Sequence, residues 1–313
     1  MTESRQTLAL SKPKGKGISA AYQWQYWLFL AIPLAYLLIF HYAPMVGIII
    51  AFKDYTARGG IFGSEWAGLK HFKQFLSTPS SSRIIGNTLR IGLYQLLVGF
   101  PFPIILAIFL NEVKSLRFRK TVQMVTYAPY FISTVVLVGM MMRLFDLRSG
   151  PINQVITMLG GKPLNFFGNK DIFPHLYVWS GIWQGAGYNS IIFIAALAGV
   201  NPELKEAARI DGASRFQRIW NVDLPSIAST IVMMLIFNVG AIMNIGFEKV
   251  FLMQNPANQP TSEIISTFVY KVGLGNGNYS FSTAVNLFNS ILSLILFVIA
   301  NQTSKKISDT SIW

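Results

Sequence analysis

The feature that most constrains this chain is a series of apolar runs that contain no Asp, Glu, Lys or Arg. The runs are Tyr22–Phe52, Ile91–Asn111, Thr121–Met142, Ile172–Pro202, Leu224–Phe247 and Val272–Ser304. A helix needs about 20 apolar residues to cross the hydrocarbon core of a bilayer. The runs therefore predict about six transmembrane helices, with cores at Trp27–Ala51, Thr88–Leu110, Val122–Leu144, Leu176–Val200, Ile227–Phe247 and Ala284–Ala300.

The composition supports an all-α integral membrane protein. The chain is 52% hydrophobic and only 12% charged, which is too apolar for an ordinary soluble domain. One transmembrane domain is predicted over residues 21–304, between a cytoplasmic tail at 1–20 and a second cytoplasmic tail at 305–313. The absence of cysteine excludes disulfides, thiolate nucleophiles and Cys-ligated metals.

The cations indicate how the chain is oriented, because Lys and Arg are concentrated in cytoplasmic loops. With the N-terminus inside, the inside segments hold Arg5, Lys12, Lys14, Lys16, Lys114, Arg117, Arg119, Lys120, Lys205, Arg209, Arg215, Arg218, Lys305 and Lys306. The outside loops, which are longer, hold Lys53, Arg58, Lys70, Lys73, Arg83, Arg148, Lys162, Lys170, Lys249 and Lys271. The higher density inside predicts that both termini are cytoplasmic. The net charge of +13 therefore does not indicate a nucleic-acid partner.

One charged segment, residues 201–225, lies between two apolar runs and predicts a helix–turn–helix in the cytoplasm. Asn201 can accept an N-cap hydrogen bond, and Pro202 suits the first helical position. Gly212 can adopt the left-handed conformation that ends a helix. A second short helix is predicted from about Ser214 to Asn221, before Pro225 opens the next segment. A rigid hairpin that a membrane protein places in water is typical of a docking surface for a partner.

The same segment carries a family resemblance. Its residues resemble the EAA loop of permease subunits of binding-protein-dependent ABC importers at Glu206, Ala207, Ala208, Asp211, Gly212, Ala213, Leu224 and Pro225. The resemblance implies the type I, maltose-permease-like fold, with these residues forming the helix that docks into a cytoplasmic ATPase and couples its motion to the membrane. It also implies a location in the bacterial inner (cytoplasmic) membrane.

The resemblance implies a set of partners and no chemistry in this chain. They are a second homologous permease subunit, two copies of the ATPase, an external solute-binding protein and the lipid bilayer. ATP and Mg²⁺ would be bound by the ATPase, so the chain itself is expected to hold no cofactor and no catalytic residue.

Further segments resemble the polysaccharide and oligosaccharide permease branch (LplB-like) of carbohydrate importers. These segments are Asn87-Thr88-Leu89, Phe100–Ile104, Leu110-Asn111-Glu112, Tyr127–Ser133, Gly246-Phe247-Glu248 and Ile312-Trp313. The resemblance implies a glycan substrate. An acidic glycan such as alginate would suit the cations of the outside loops, but a neutral glycan remains open.

A path for a glycan needs amides for its hydroxyls and aromatic rings for its sugar faces. The predicted substrate path consists of Trp183, Gln184, Tyr188, Asn189, Asn238, Asn244 and Asn289. Polar groups at membrane depth face a cavity or another helix. For each single residue, packing between helices or anchoring at the membrane interface is the competing interpretation.

Other functions have weaker support. The glycines include no phosphate-binding loop, and His41, His71 and His175 lack the spacing of metal ligands, so no metal site is predicted. The alternative function is a proton- or ion-coupled secondary transporter of a small solute, which would use Arg90, Arg143, Asp146 and Glu248. All four lie near the ends of apolar runs, where charged side chains can reach the interface.

Overall fold

The computed structural model describes residues 20–308 and residue 311, and it divides into two compact units, Met1–Ile49 and Ile50–Trp313. The predicted tail at 1–20 lies outside the described residues except for Ala20, and so does the pair Ile312-Trp313. In the first unit, α1 (Ala20–Leu37) continues through a π-helical turn, Leu38–Tyr42, into α2 (Ala43–Met45). The side chains of residues 24–46 are exposed, as expected for a mainly apolar helix whose surroundings are lipid or protein.

The second unit begins with a small extracytoplasmic structure of strands and short helices, by the predicted orientation. A 3₁₀ turn, Val46–Phe52, precedes β1 (Lys53–Asp54), which pairs antiparallel with β2 (Glu65–Trp66). The two short helices of this region are α3 (Gly60–Gly63) and α4 (Lys70–Ser77).

Helices make up most of the remaining unit. The next six are α5 (Ser81–Tyr94), α6 (Pro101–Glu112), α7 (Leu116–Tyr127), α8 (Thr134–Leu144), α9 (Pro151–Met158) and α10 (Phe173–Ala198). They are followed by α11 (Pro202–Ile210), α12 (Arg215–Arg218), α13 (Leu224–Ser226), α14 (Ala228–Gly240), α15 (Phe247–Met253), α16 (Gln259–Ser262), α17 (Ile265–Tyr270) and α18 (Tyr279–Ser308). π-helical turns at Gln95–Gly99 and Ile219–Asp223 join α5 to α6 and α12 to α13.

All six predicted spans are largely helical, although not all are straight. Within the described residues, three helices are long and apolar enough to cross a membrane: Trp24–Phe52, Ser81–Glu112 and Tyr279–Lys306. The number rises to five if two bent pairs count as one span each, Leu116–Phe131 with Thr134–Leu144 and Arg215–Ser226 with Ala228–Gly240. The remaining predicted span is α10, a 26-residue helix without charged residues. Its His, Trp, Gln and Asn residues make it more polar than the others.

Two spans predicted as continuous are interrupted. The core Val122–Leu144 is broken by a 3₁₀ turn, Ala128–Phe131, and bends by 100°. Pro129 lies in this turn and has no N–H for a helical bond, while Ser133 caps the next helix by accepting from Val136 N at 3.4 Å. The core Ile227–Phe247 ends as α14 at Gly240, and residues 241–246 are not helical.

The second unit packs around α10, which lies along α6 and α7. One apolar cluster joins α5, α8, α10 and α15 through Ile91, Leu137, Tyr177 and Val250. Beside this cluster, α5 and Ile242 lie so close together that a Cβ added to Gly92 would come within 2.2 Å of Ile242 O. Only glycine permits the non-helical residues 241–246 to approach α5 in this way.

Two predicted loops are more ordered than expected. The third outside loop, Glu248–Ser280, contains the three helices α15, α16 and α17, and it buries Lys249 and Glu263. The predicted C-terminal tail at 305–313 begins as helix, because α18 continues to Ser308 and carries Lys305 and Lys306 in its last turn.

Candidate functional sites: the 201–225 hairpin and the polar cavities

The first arm of the 201–225 hairpin is capped at both ends, as the sequence predicts. Asn201 Oδ1 accepts a hydrogen bond from Glu203 N at 3.0 Å, and Pro202 occupies the first helical position of α11. At the other end Gly212 has a φ of +77°, and Ala213 N donates to Ala208 O at 2.9 Å. Glycine adopts this left-handed conformation without the steric cost that a side chain adds.

The second arm begins with a reciprocal capping box. Gln217 N donates to Ser214 Oγ at 3.3 Å, and Ser214 N donates to Gln217 Oε1 at 2.8 Å. The arm runs through α12 and the π turn into α13, where Pro225 lies just before the 64° bend. The predicted second helix is therefore confirmed, and it extends further than Asn221.

Two ion pairs hold the hairpin to its surroundings. Lys205 Nζ lies 2.9 Å from Asp223 Oδ1, which joins the two arms, and the Asp223 side chain is buried. Arg218 Nη2 lies 3.5 Å from Glu112 Oε2 at the end of α6, and Arg218 Nη1 donates to Ala213 O at 3.3 Å. The hairpin is therefore connected both across its own turn and to a predicted transmembrane helix.

The hairpin exposes large apolar side chains. Ile210 is 87% exposed, Phe216 71% and Trp220 62%, and the rings of Phe216 and Trp220 stack with centroids 6.0 Å apart. Exposed apolar groups clustered on a polar segment mark an interaction surface. Of the predicted coupling residues, Glu206, Ala207, Asp211, Gly212 and Pro225 are exposed, whereas Ala208, Ala213 and Leu224 are half-buried.

Two adjoining cavities with polar side chains in their walls lie among the Gln95–Gly99 turn, α10 and α14, and α6 also lines the first of them. The first, of about 450 Å³, is called here the Asn189 cavity and has four polar side chains in its lining, Gln95, Tyr188, Asn189 and Asn238. The second, of about 270 Å³, is called the Asn244 cavity and shares Gln95 and Asn238 with the first, adding Tyr177 and Asn244. The two cavities therefore have a common amide-lined wall.

The predicted path residues are only partly brought together. Tyr188, Asn189 and Asn238 line the Asn189 cavity, and Asn244 lines the neighbouring one. Tyr188 also stacks on Tyr130, with ring centroids 3.8 Å apart and planes 4° from parallel.

The other three residues lie elsewhere. Trp183 lines a separate apolar groove of about 470 Å³ between α8 and α10. Gln184 Nε2 donates to Ile132 O at 2.8 Å, and buried Asn289 places Nδ2 3.4 Å from both Met243 O and Asn244 Oδ1. The seven side chains thus do not share one cavity within this chain.

Sequence reasoning missed a buried cation beside the cavities. Lys249 on α15 is 8% exposed, and its Nζ donates to Tyr177 O at 2.9 Å and lies 4.8 Å from the centroid of the Tyr177 ring. α15 lies outside the candidate spans, and burial lowers the pKa of the Lys249 ammonium to about 8. The Tyr177 carbonyl and ring, in contrast, both favour the charged ammonium. In the sequence, Lys249 follows Glu248 just after an apolar run, which is typical of an exposed loop residue.

The residues of the alternative function do not form a relay. Among Arg90, Arg143, Asp146 and Glu248, none is buried. Asp146 is engaged locally, since its Oδ1 accepts from Ser149 Oγ at 2.7 Å. Within the described part of the chain, no three His, Asp or Glu side chains are grouped in a way that fits a metal ion.

Comparison with known proteins identifies the family. Residues 99–309 match the family model described as binding-protein-dependent transport system inner membrane component. The chain is 44% identical to protein LplB of Bacillus subtilis over 93% of each chain. It is 43% identical to the polygalacturonan/rhamnogalacturonan transport system permease protein YteP of the same organism, over 89% of this chain and 87% of YteP.

A solved structure agrees with these relatives. A chain in the crystal structure of a bacterial alginate ABC transporter, in complex with alginate pentasaccharide-bound periplasmic protein, is 35% identical with a TM-score of 0.87. The match covers 93% of this chain and 98% of that chain. The chain therefore belongs to the family of binding-protein-dependent transport system inner membrane components, the permease subunits of ABC importers.

Proposed function

We propose that this permease carries a polysaccharide-derived oligosaccharide across the bacterial inner membrane in an ATP-driven importer. The support comes from the relatives, since YteP is named for polygalacturonan and rhamnogalacturonan transport and the similar solved structure for alginate. The permease itself performs no covalent chemistry in this proposal. ATP and Mg²⁺ bind to a separate ATPase, and no cofactor resides in this chain.

The 201–225 hairpin is the structural observation that supports the ATP-driven part of the proposal. It is capped at three points and held by two ion pairs, yet it presents Ile210, Phe216 and Trp220 to its surroundings. Such a surface suits a hydrophobic cleft on a cytoplasmic partner, with Glu206 positioned to meet a basic residue there. Two copies of the ATPase would engage this hairpin and its equivalent on a second homologous permease.

The ion pairs give the hairpin a mechanical role. When ATP closes the ATPase dimer, the hairpin moves as a rigid body. The Arg218–Glu112 contact transmits that movement to α6, and the continuous chain through α13 transmits it to α14. The permease pair thereby alternates between an inward-facing and an outward-facing state.

The two polar cavities supply this subunit's part of the glycan path. Amides of Gln95, Asn189 and Asn238 can replace water at sugar hydroxyls, and the stacked Tyr130–Tyr188 pair offers an aromatic face. Each hydrogen bond contributes a net of about 1 kcal/mol, so the glycan is held weakly enough to leave. The second permease and the external solute-binding protein complete the path.

Uptake by the complete complex tests the proposed function. The permease is purified with its second permease, ATPase and binding protein and placed in proteoliposomes, and uptake of labelled trigalacturonate is measured with and without ATP. We expect uptake only with ATP and binding protein together. Uptake driven by a pH or sodium gradient without ATP would instead support a secondary transporter, which the relatives do not favour.

Cysteine labelling tests the orientation, since the chain has no native cysteine. An impermeant maleimide applied to intact cells is expected to label Gly60→Cys, Asn165→Cys and Asn276→Cys. It should not label Leu116→Cys or Ser214→Cys. The reverse pattern would place the hairpin outside the cell and remove it from any cytoplasmic ATPase.

A further inference from the structure

Lys249 is a buried ammonium without a carboxylate partner. Among the described residues, the buried carboxylates are otherwise engaged: Asp223 pairs with Lys205, and Glu263 pairs with Arg83 and Lys271. No acidic side chain of the described chain pairs with Lys249. Burial of a charge without an opposite charge beside it is unfavourable, so such a group is expected to have a function.

Lys249 Nζ lies next to two residues of α10, each of which lines one of the polar cavities. Its Nζ is bound to the carbonyl of Tyr177, whose side chain lines the Asn244 cavity. One helical turn further along α10, Gly181 lines the Asn189 cavity. A Cβ at Gly181 would meet Lys249 Nζ at 3.4 Å and no other atom within 4 Å beyond its own stretch of helix. Lys249 itself lines neither cavity, and the glycine places no side chain at this position 3.4 Å from the ammonium.

The geometry points to Lys249 as the residue that selects an acidic glycan, by pairing with a uronate carboxylate as it passes the Asn189 cavity. The inference rests on the proposed function and adds the charge of the substrate to it. A lysine ammonium has three donors, and only one is used by Tyr177 O. A carboxylate that enters beside Gly181 would satisfy the remaining hydrogens and neutralise the charge.

The contact between the uronate carboxylate and the Lys249 ammonium need not give tight binding. The carboxylate and the ammonium attract each other strongly in a low-dielectric site, but the carboxylate must first lose its hydration, and the two terms largely offset each other. The pair contributes more to selectivity between acidic and neutral glycans than to binding affinity, because a neutral glycan leaves the Lys249 ammonium unpaired. The subsite therefore favours uronates over neutral sugars without trapping them.

A pair of matched probes tests the inference in the complete complex. Trigalacturonate and its fully methyl-esterified form share one carbohydrate skeleton and differ in charge. For the wild type, we expect faster ATP-dependent uptake of the free acid. Lys249→Met should lower uptake of the acid at least tenfold and change uptake of the ester by less than twofold.

Two further variants separate recognition from folding. Lys249→Gln is neutral but keeps an N–H donor for Tyr177 O, and it should show the same selective loss even if Lys249→Met assembles poorly. Lys271→Met, which removes a lysine paired with Glu263, should not change the ratio of acid to ester uptake.

Three outcomes overturn the inference alone, and a fourth overturns it together with the proposed function. In the first, Lys249→Gln lowers the uptake of both probes equally. In the second, Lys249→Gln leaves the uptake of the acid unchanged. In the third, the wild type takes up both probes at the same rate. In this third case the proposed glycan import survives and only the charge selection fails. If the wild type takes up neither probe with ATP, the proposed function fails for this glycan class and the inference fails with it.

Discussion

The 201–225 hairpin and the pair of polar cavities differ in how they are built. The hairpin depends mostly on contacts between residues close in sequence, such as Asn201 with Glu203 and Ser214 with Gln217. The cavities depend on side chains from the Gln95–Gly99 turn, α10 and α14, which are far apart in sequence. We infer that the hairpin acts as one rigid body, whereas each cavity residue contributes a small and separate share.

This comparison predicts different responses to mutation. Changes that break the hairpin should remove coupling altogether, because every part of it moves together. Changes in the cavities should slow transport in steps and leave ATP hydrolysis intact.

The largest effect is expected for Gly212→Pro. Gly212 has a φ of +77°, whereas proline is held near about −65°, so the turn cannot form. The variant should insert into the membrane but lose ATPase copurification and uptake. The matched control is Gly160→Pro, which changes a glycine with a φ of +82° in a predicted outside loop. That control should keep the ATPase bound, and loss of the ATPase in both variants would contradict a specific role for the hairpin.

The next effect is expected for Glu206→Lys, which reverses an exposed charge while the caps of α11 remain intact. Uptake should fall at least tenfold, equivalent to about 1.4 kcal/mol or more. Glu203→Lys lies one turn earlier on the same helix and should change uptake by less than threefold. Equal losses in the two variants, measured in proteoliposomes, would indicate a general effect of charge and not a contact at Glu206.

A smaller effect is expected at the wall of the Asn189 cavity. Asn189→Leu should remove one hydrogen bond to the glycan, worth about 1 kcal/mol, and slow uptake about fivefold. Basal ATP hydrolysis should persist because the hairpin is unchanged. Asn286→Leu is the control, since Asn286 is exposed and does not line either cavity. If Asn189→Leu abolishes uptake or ATP hydrolysis, the cavities do not act separately from the hairpin.

The difference between contacts that are local in sequence and contacts between distant segments also explains which features could be predicted from the sequence. The N-cap at Asn201 and the left-handed Gly212 were predictable because each depends on a few neighbouring residues, and both are confirmed. The fold class was predictable because the length and polarity of apolar runs reflect the thickness of a bilayer.

The cavity residues were harder to predict, because whether a residue of α10 lines a cavity depends on which face of the helix meets which neighbour. Gln184 and Trp183 are adjacent in sequence, yet one binds Ile132 O and the other lines an apolar groove. The sequence predicts Lys249 as a loop residue because nothing in its neighbouring sequence indicates that α15 packs against α10. The bends at Ala128–Phe131 and after Ser226 lie next to Pro129 and Pro225, but a proline in an apolar run does not by itself show whether the helix kinks or breaks.

The most direct test of the central claim, that the hairpin docks on the ATPase, is site-specific cross-linking in the assembled complex. Ile210→Cys and Met158→Cys place a single thiol on two apolar side chains of similar exposure, 87% and 82%, one on the hairpin and one on α9. With a short bifunctional reagent, Ile210→Cys should form a cross-link to the ATPase whose yield changes between the ATP-bound and nucleotide-free states, and Met158→Cys should form none. A cross-link from Met158→Cys, or none from Ile210→Cys in either state, would contradict the account.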